Sequence, residues 1–468
     1  MRRRRVPAAP RPAATHRLTR AERHAKGKSL RETCPRSAHA DWKAPVGRPD
    51  PVGLVLHADK GRLPELLPIR HGRMALSPFT FYRGSALAMA ADLATLPATG
   101  VRVQCGGDSH LVNFRCFATP ERKIIFAIND LDETLPAPWE WDIKRLAASS
   151  VIACRDNGLS DAVAQESALA CVRSYREHMA EFSDMDPLEL WYFTIDSDML
   201  LSTLTDAGRR RRAIKRMEEE RTRGVAEDLM PKMAYAKGEV PVIEDHLPTI
   251  YHWKRSPPGK IDQNVKDAFA RYRNSLAPST RALLDRYEIR DVSLKVVGVG
   301  SVGTRCWVLL LTDGEGNALV LQVKEARASV LEAYVGKSVF SNHGQRVVTG
   351  HHFMQPASDI FLGWTEDKSG HHYYLRQLRD VKIKFAVETF GKTEMPLFAA
   401  LCGYSLALSH ARAGDAAFIS GYLGKSDAFD LALAAFSVAY ADQNEKDHSE
   451  FKRAIQKGKV KAVTEGRK

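Results

Sequence analysis

Three glycines spaced as Gly298-Val299-Gly300-Ser301-Val302-Gly303 leave two architectures open. In a doubly wound α/β sheet, such a loop opens a helix whose first N–H groups meet a pyrophosphate. In the other architecture it is a turn between two strands. The residues that follow decide between them. Arg305-Cys306-Trp307-Val308-Leu309-Leu310-Leu311 is an apolar run that ends at Asp313-Gly314, which reads as a strand and its turn. Residues 293–297, ahead of the loop, are equally β-rich. A glycine turn between two strands is therefore expected, in a chain of the α+β class.

A third strand is expected over 318–323, and it runs into Lys324 within Leu321-Gln322-Val323-Lys324-Glu325-Ala326. Kinase nucleotide lobes combine a glycine loop with a lysine at the end of V-A-I-K, where it binds the α and β phosphates. Gly298, Gly300, Ser301 and Gly303 are thus the expected phosphate cover, and Lys324 the expected nucleotide-binding lysine. The plain alternative is an exposed edge-strand lysine. The acid that would pair with Lys324 has no spacing signature; Glu332, on the following segment, is a candidate. A fourth strand is expected over 373–378.

Phosphoryl transfer makes little covalent demand on a protein. It needs a carboxylate near the attacking hydroxyl and hard oxygen ligands for Mg²⁺. A kinase catalytic loop sets its base Asp and metal-binding Asn five residues apart. Gly107-Asp108-Ser109-His110-Leu111-Val112-Asn113-Phe114 has that spacing. A strand over 123–128 then delivers Asn129-Asp130-Leu131-Asp132-Glu133, three acids in four residues that would repel one another without a cation. Asp142 follows Asp130 by twelve residues within Trp141-Asp142-Ile143-Lys144-Arg145, the place of the buried Asp at a helix start in the aminoglycoside- and choline-kinase-like branch. The expected roles are Asp108 and His110 as catalytic groups, Asn113, Asp130 and Asp132 as metal ligands, and Asp142 and Arg145 as support. Arg70, Arg73 and Arg83 are candidates for an acidic or phosphorylated substrate, with ion pairs on helix surfaces as the alternative. For the loop residues the plain alternatives are turn and helix caps and, for His110, a satisfied core histidine.

The glycine loop lies 190 residues after Asp108, the reverse of the ordinary kinase order. A circular permutation would reconcile the two, with the helix around 401–413 taking the place before the catalytic loop. The expected organisation is a basic, largely disordered tail with a few anchoring turns over 1–60, a mostly helical half over 61–290, a β-rich nucleotide lobe over 291–385, helices completing the helical half over 386–455, and a basic tail over 456–468.

The formal net charge of +13 is partly local, in Met1-Arg2-Arg3-Arg4-Arg5 and in the last dozen residues. No basic-aromatic nucleic-acid module accompanies these runs, so no specific nucleic-acid partner is expected. The seven cysteines are scattered without a C-x-x-C pair, which argues against a disulfide framework and for a reducing cytoplasm. No apolar run is long enough to span a bilayer, and no apolar segment follows the basic opening as in a secretory signal.

Several further stretches carry a family resemblance. They are Pro68-Ile69-Arg70-His71-Gly72-Arg73-Met74, Ser77-Pro78-Phe79-Thr80-Phe81-Tyr82-Arg83-Gly84, Ser358-Asp359-Ile360-Phe361-Leu362-Gly363-Trp364 and His410-Ala411-Arg412-Ala413-Gly414-Asp415. Together with the loops above, they make the chain resemble the bacterial DUF2252 family over about residues 31–454. The resemblance implies a cytoplasmic bacterial protein related to the kinase-like, aminoglycoside-phosphotransferase-like fold. The chain departs from the family pattern in having Arg115 for a usual Gly, Ala127 for a usual Asp, Leu131 for a usual Phe and Gly106 for a usual Cys. If the Asp missing at 127 is the metal ligand, Asp130 is not, and this copy is impaired.

The leading expectation is a phosphotransferase that uses ATP and Mg²⁺ on an acceptor of unknown identity, a small molecule rather than a protein. Nucleotidyl transfer on the same fold and non-catalytic nucleotide binding are the alternatives. A metal-dependent phosphoesterase would need further ligands, and His351-His352 and His371-His372 are the clusters that could supply them.

Overall fold

The computed structural model describes residues 18–463, apart from 203–207, 209–210, 212–213, 216, 220–233, 238–239, 254–256 and 379–381. The arginines of the opening run, half of the charged 209–220 segment and the end of the closing basic run lie outside the described residues.

The most buried long helix is Trp139–Asp156, in which sixteen consecutive residues from Trp139 to Cys154 are enclosed. A helix enclosed nearly all round belongs in a core, and its buried Glu140, Asp142, Lys144 and Arg145 need partners there. Its Ile143, Leu146, Ala147, Val151 and Cys154 pack with the helices Asp161–Asp184, Glu394–Ala413 and Ala428–Gln456 in the largest apolar cluster of the molecule. Chain segments from both sides of the β-rich region thus build one helical half. Strands β1 (Arg102–Cys105), β2 (Phe114–Ala118), β3 (Ile124–Ile128) and β4 (Leu135–Pro138) belong to this half. β1 and β4 pair antiparallel, with Cys105 opposite Leu135, and so close the neck of the segment that carries the acids. Inside that neck, β2 and β3 form a hairpin with Arg115 opposite Ala127.

Two short strands, β5 (Ala234–Lys237) and β6 (Val240–Ile243), form a separate hairpin. The main sheet is built from β7 (Ile250–Tyr251), β8 (Glu288–Lys295), β9 (Cys306–Thr312), β10 (Ala318–Ala326), β11 (Gly363–Glu366) and β12 (His372–Gln377). It is antiparallel, in the order β11-β12-β10-β9-β8-β7. Side chains alternate across it. Leu319, Leu321 and Val323 of β10 pack with Tyr272 of the helix Gln263–Ser275, and with Leu276 just beyond it, on one face. Val320, Gln322 and Lys324 project from the other. The glycine segment joins β8 to β9 as the sequence predicts, with one short 3-10 turn at Val299–Ser301. The helix His343–Met354 lies between β10 and β11 in the chain. After β12, β13 (Lys382–Ile383) pairs with β2 and returns the chain to the helical half.

The described residues thus form a mixed helix-and-sheet structure, in keeping with the α+β class. Residues 18–60 differ from the expectation of a largely disordered tail. Thr19 and Glu22 form a capping box that starts the helix Arg20–Ser29. That helix lies so close to the helix Ala416–Leu423 that a Cβ on Gly27 would fall 1.9 Å from the Phe418 carbonyl oxygen. Arg48 then bridges Asp92 and Asp447, both at 2.7 Å. Tertiary contacts, rather than a strong local period, order this segment. All seven cysteines are buried and none forms a disulfide. No helix among the described residues is long and apolar enough to cross a membrane.

Candidate functional site

The loop between β1 and β2 is held from below. Asp142, in the first turn of Trp139–Asp156, accepts the N–H groups of Gly106 at 2.6 Å and Gly107 at 2.9 Å. Gly107 has φ +78°, and a Cβ there would lie 2.5 Å from the Glu133 carbonyl oxygen, so glycine alone fits. His410, near the end of Glu394–Ala413, places Nε2 3.2 Å from the Asp142 carboxylate, and its Nδ1 lies 2.9 Å from the Tyr175 hydroxyl. Among the described residues, Cys105, Asp142 and His410 are close enough together to suggest a metal site. Both Asp142 oxygens already accept hydrogen bonds here, so the group acts as a hydrogen-bonded anchor.

With its backbone fixed, Asp108 meets Arg145 from the same helix. Arg145 Nε donates to Oδ1 at 2.8 Å and Nη2 donates to the same oxygen. Its guanidinium lies 4.4 Å from the Tyr82 ring centre. Burial pushes the Asp108 carboxyl up to about 6, against the opposing pull of Arg145. His110 Nε2 lies 3.9 Å from Asp108, and burial followed by Arg83 and Arg145 holds its pKa well below the ordinary histidine range. His110 is therefore a neutral imidazole. Asn113 donates its amide to the Asp108 carbonyl at 2.8 Å, and its own carbonyl accepts the Asn129 N–H at 2.7 Å. That second bond ties the start of the acidic segment to the Asp108 loop.

Lys324 comes down from β10 onto these acids. Its Nζ is 2.7 Å from Asp132 and 3.4 Å from Asp130. The lysine side chain is 4% exposed, while Asp130 retains 37% and Asp132 24% of their surface. Burial disfavours the lysine charge, but the two carboxylates more than offset this and hold it firmly protonated. Burial would likewise raise the Asp130 carboxyl, yet Lys324, Arg376 and Arg115 hold it below the usual carboxylate range. The glycine turn completes the enclosure. Ser301 Oγ donates to Asp132 at 3.3 Å, and a Cβ on Gly300 would be 4.0 Å from Asp108 Oδ2 and 3.3 Å from the Arg83 carbonyl oxygen. Gly298 has open space around its Cβ position, and Gly303, at φ +86°, accepts the Leu63 N–H at 2.7 Å.

Residues far apart in sequence thus meet at one place: Asp108, Asn113, Asp130 and Asp132 from the helical half, Ser301 and Lys324 from the sheet. Two carboxylates here face a fixed cation, and the Asn113–Asn129 backbone bond ties them to the Asp108 loop. A model of the DUF2252 family, described as an uncharacterised protein conserved in bacteria, matches residues 62–454. The chain belongs to this family. No curated protein and no solved structure matches it.

Some expectations for this DUF2252 chain change. Glu332 is not the partner of Lys324; it lies 3.8 Å from His343, and Asp130 and Asp132 take its place. Arg70 is buried and donates to the Gly84 carbonyl, with Asp59 at 3.5 Å. Arg73 donates to the Val297 carbonyl at 2.6 Å. Both tie the helix Leu67–Ala75 to its surroundings, leaving Arg83 as the member of that trio beside the acids. His351 is bonded to Gln355 and His371 to Asp367, and the two histidine pairs do not converge on Asp108. Ala127 packs with Phe117 and Ile125.

Three contributors had no sequence signal beyond their strand or a family departure. Tyr374 donates its hydroxyl to Asp132 at 2.6 Å. Arg376 donates to the Asn129 carbonyl at 3.1 Å and to Gln322 at 3.2 Å. Arg115, visible in the sequence only as a replacement for glycine, flanks Asp130.

Proposed function

We propose that this chain is a phosphotransferase that uses ATP and Mg²⁺, with a kinase-like, two-lobed and circularly permuted arrangement. The observation that carries the reading is the seat of Lys324, 2.7 Å from Asp132 and 3.4 Å from Asp130, beneath a glycine turn whose Ser301 bonds the same Asp132. A lysine on the second strand after a glycine turn, facing two acids from another part of the chain, suits a triphosphate bridged to metal. The order glycine turn, lysine strand, helix, two strands and then return to the helical half supports the permutation, as does His410 reaching the Asp142 anchor from the helix Glu394–Ala413.

The donor set fits the metal. Asp130, Asp132 and the Asn113 side chain offer hard oxygens, and the partial exposure of both acids leaves them room to exchange Lys324 for a cation. When bound, Mg²⁺ neutralises charge on the phosphate oxygens. Asp108 orients the acceptor hydroxyl and takes its proton as the oxygen–phosphorus bond forms and ADP departs. Arg145 keeps Asp108 ionised near neutral pH and fixes its direction. Asp142 holds the loop through two backbone N–H groups, so the base does not have to be ordered during reaction.

A second reading, nucleotide binding without turnover, draws on the double contact between Arg145 and Asp108, which competes with an acceptor hydroxyl for that carboxylate. One experiment separates the readings. Purified protein is incubated with γ-labelled ATP, Mg²⁺ and pooled small metabolites, and nucleotide binding is followed by thermal shift. The phosphotransferase reading expects a stabilised protein and a labelled product that disappears in Asp108→Ala. Stabilisation without product favours the second reading, and neither signal removes both.

A further inference from the structure

The charges around the cleft do not balance. Asp108 is matched by Arg145, and Asp130 and Asp132 share Lys324. Three further guanidinium groups flank these acids, and among the described residues none forms an ion pair; Arg376 is occupied by the Asn129 carbonyl and Gln322, which leaves Arg83 and Arg115. Arg83 ends the helix Pro78–Gly84, and its carbonyl lies against Gly300. Its Nε is buried without a hydrogen-bond partner, and its guanidinium stands 6.0 Å from the Phe79 ring centre. Arg115 lies two residues beyond Asn113, where Nε donates to the Val112 carbonyl at 3.2 Å. His110, on the same loop, also has a buried and unpartnered Nδ1. It interacts electrostatically with both Arg83 and Arg115, and the two guanidinium groups interact with each other, so the three share one neighbourhood. A folded chain tolerates unpaired, half-buried guanidinium groups of like charge poorly unless an anion joins them. Planar guanidinium forks match phosphate and carboxylate oxygens bidentately.

We infer that the acceptor carries a negatively charged group, a phosphate or a carboxylate, held by Arg83 and Arg115 beside Asp108. This rests on the phosphotransfer reading and names its substrate class. The anion belongs to the acceptor rather than the nucleotide because Arg115 adjoins the Asp108–Asn113 loop, where the attacking hydroxyl must arrive, while the nucleotide phosphates are assigned to Lys324 on β10. His110, neutral and lacking a partner at Nδ1, lines the path between the anion and the base.

The test is calorimetric titration of the full chain with inorganic phosphate and, separately, with malonate. Saturating Mg²⁺ and a non-hydrolysable ATP analogue occupy the nucleotide side. The expected result is one anion per chain, weakened about tenfold or more in Arg83→Gln and in Arg115→Gln, as for loss of one charge-assisted pair. Arg83→Lys and Arg115→Lys recover part of the affinity, which a merely structural role would not give. The tighter of the two probes names the acceptor's charged group. Phosphate and malonate affinities that are unchanged in both arginine variants overturn the inference. Failure of the underlying reading shows separately, as absence of analogue binding in the wild type.

Discussion

The helical half and the sheet hold their parts of the cleft in different ways. In the helical half, Asp108 is fixed by neighbours close in sequence: Asp142 grips Gly106 and Gly107, and Arg145 of the same helix turn grips Asp108. Asp142 and Arg145 are almost fully enclosed, and the partners of Asp142 are backbone N–H groups that cannot rotate away. The sheet contributes one lysine and one glycine turn, and the acid partners of Lys324 lie 192 and 194 residues earlier in the chain. Those acids keep a quarter to a third of their surface. One side of the cleft is therefore fixed by buried bonds, and the other is held by partly exposed ion pairs, which under the proposed function a metal and phosphates would replace.

Removing the anchor should break this comparison most sharply. Asp142→Ala leaves two backbone N–H groups and His410 without their acceptor in a closed core, a loss of about 3–5 kcal/mol. Urea unfolding should show it as a fall in midpoint with little change in slope. Lys324→Met removes a comparably buried charge but leaves acids that water can reach. Its unfolding free energy should move by only about 1 kcal/mol, because the partners rehydrate. Its affinity for Mg-nucleotide should still fall by about a hundredfold, roughly the worth of two charged contacts. Equal destabilisation in the two variants would erase the distinction between the halves.

The next effect concerns pH. With Asp108 near 6, the ionised base is lost as pH falls through that value, so the rate should decline on the acid side. Arg145 favours the ionised form, so Arg145→Met should move the acid limb upward by about one unit. A pH–rate profile that moves downward, or stays in place, contradicts the assignment of Asp108. Smallest is Ser301→Ala. Its bond to Asp132 is 3.3 Å long and partly exposed, so nucleotide affinity should change only about two- to threefold, within about 1 kcal/mol.

How far the sequence disclosed this cleft follows from the range of each interaction. The strands on either side of the glycine turn and the Lys324 strand show as apolar runs bounded by turn residues, signals of nearest-neighbour range. The five-residue interval from Asp108 to Asn113 is equally local. The acids that meet Lys324 are not, and proximity in sequence pointed instead to Glu332. Arg70, Arg73 and Arg83 look alike in the sequence; the fold sorts them, since two end on backbone carbonyls and one is left beside the acids. Tyr374 and Arg376 belong to an ordinary strand, and only the register of β12 against β10, with Tyr374 opposite Lys324, brings them to the acids. The helix Arg20–Ser29 escaped notice because it is polar and short, although its capping box was present in the residues Thr19 and Glu22.

The central claim is that the two halves meet around a metal-bridged nucleotide. Titration of a fluorescent ATP analogue with and without Mg²⁺, on the wild type and on Asp130→Asn, tests it most directly. The account predicts saturable binding by the wild type that collapses when Mg²⁺ is chelated, and weak binding by Asp130→Asn that Mg²⁺ does not improve. Binding by the wild type that ignores Mg²⁺, or an Asp130→Asn variant that keeps the full Mg²⁺ dependence, would contradict it.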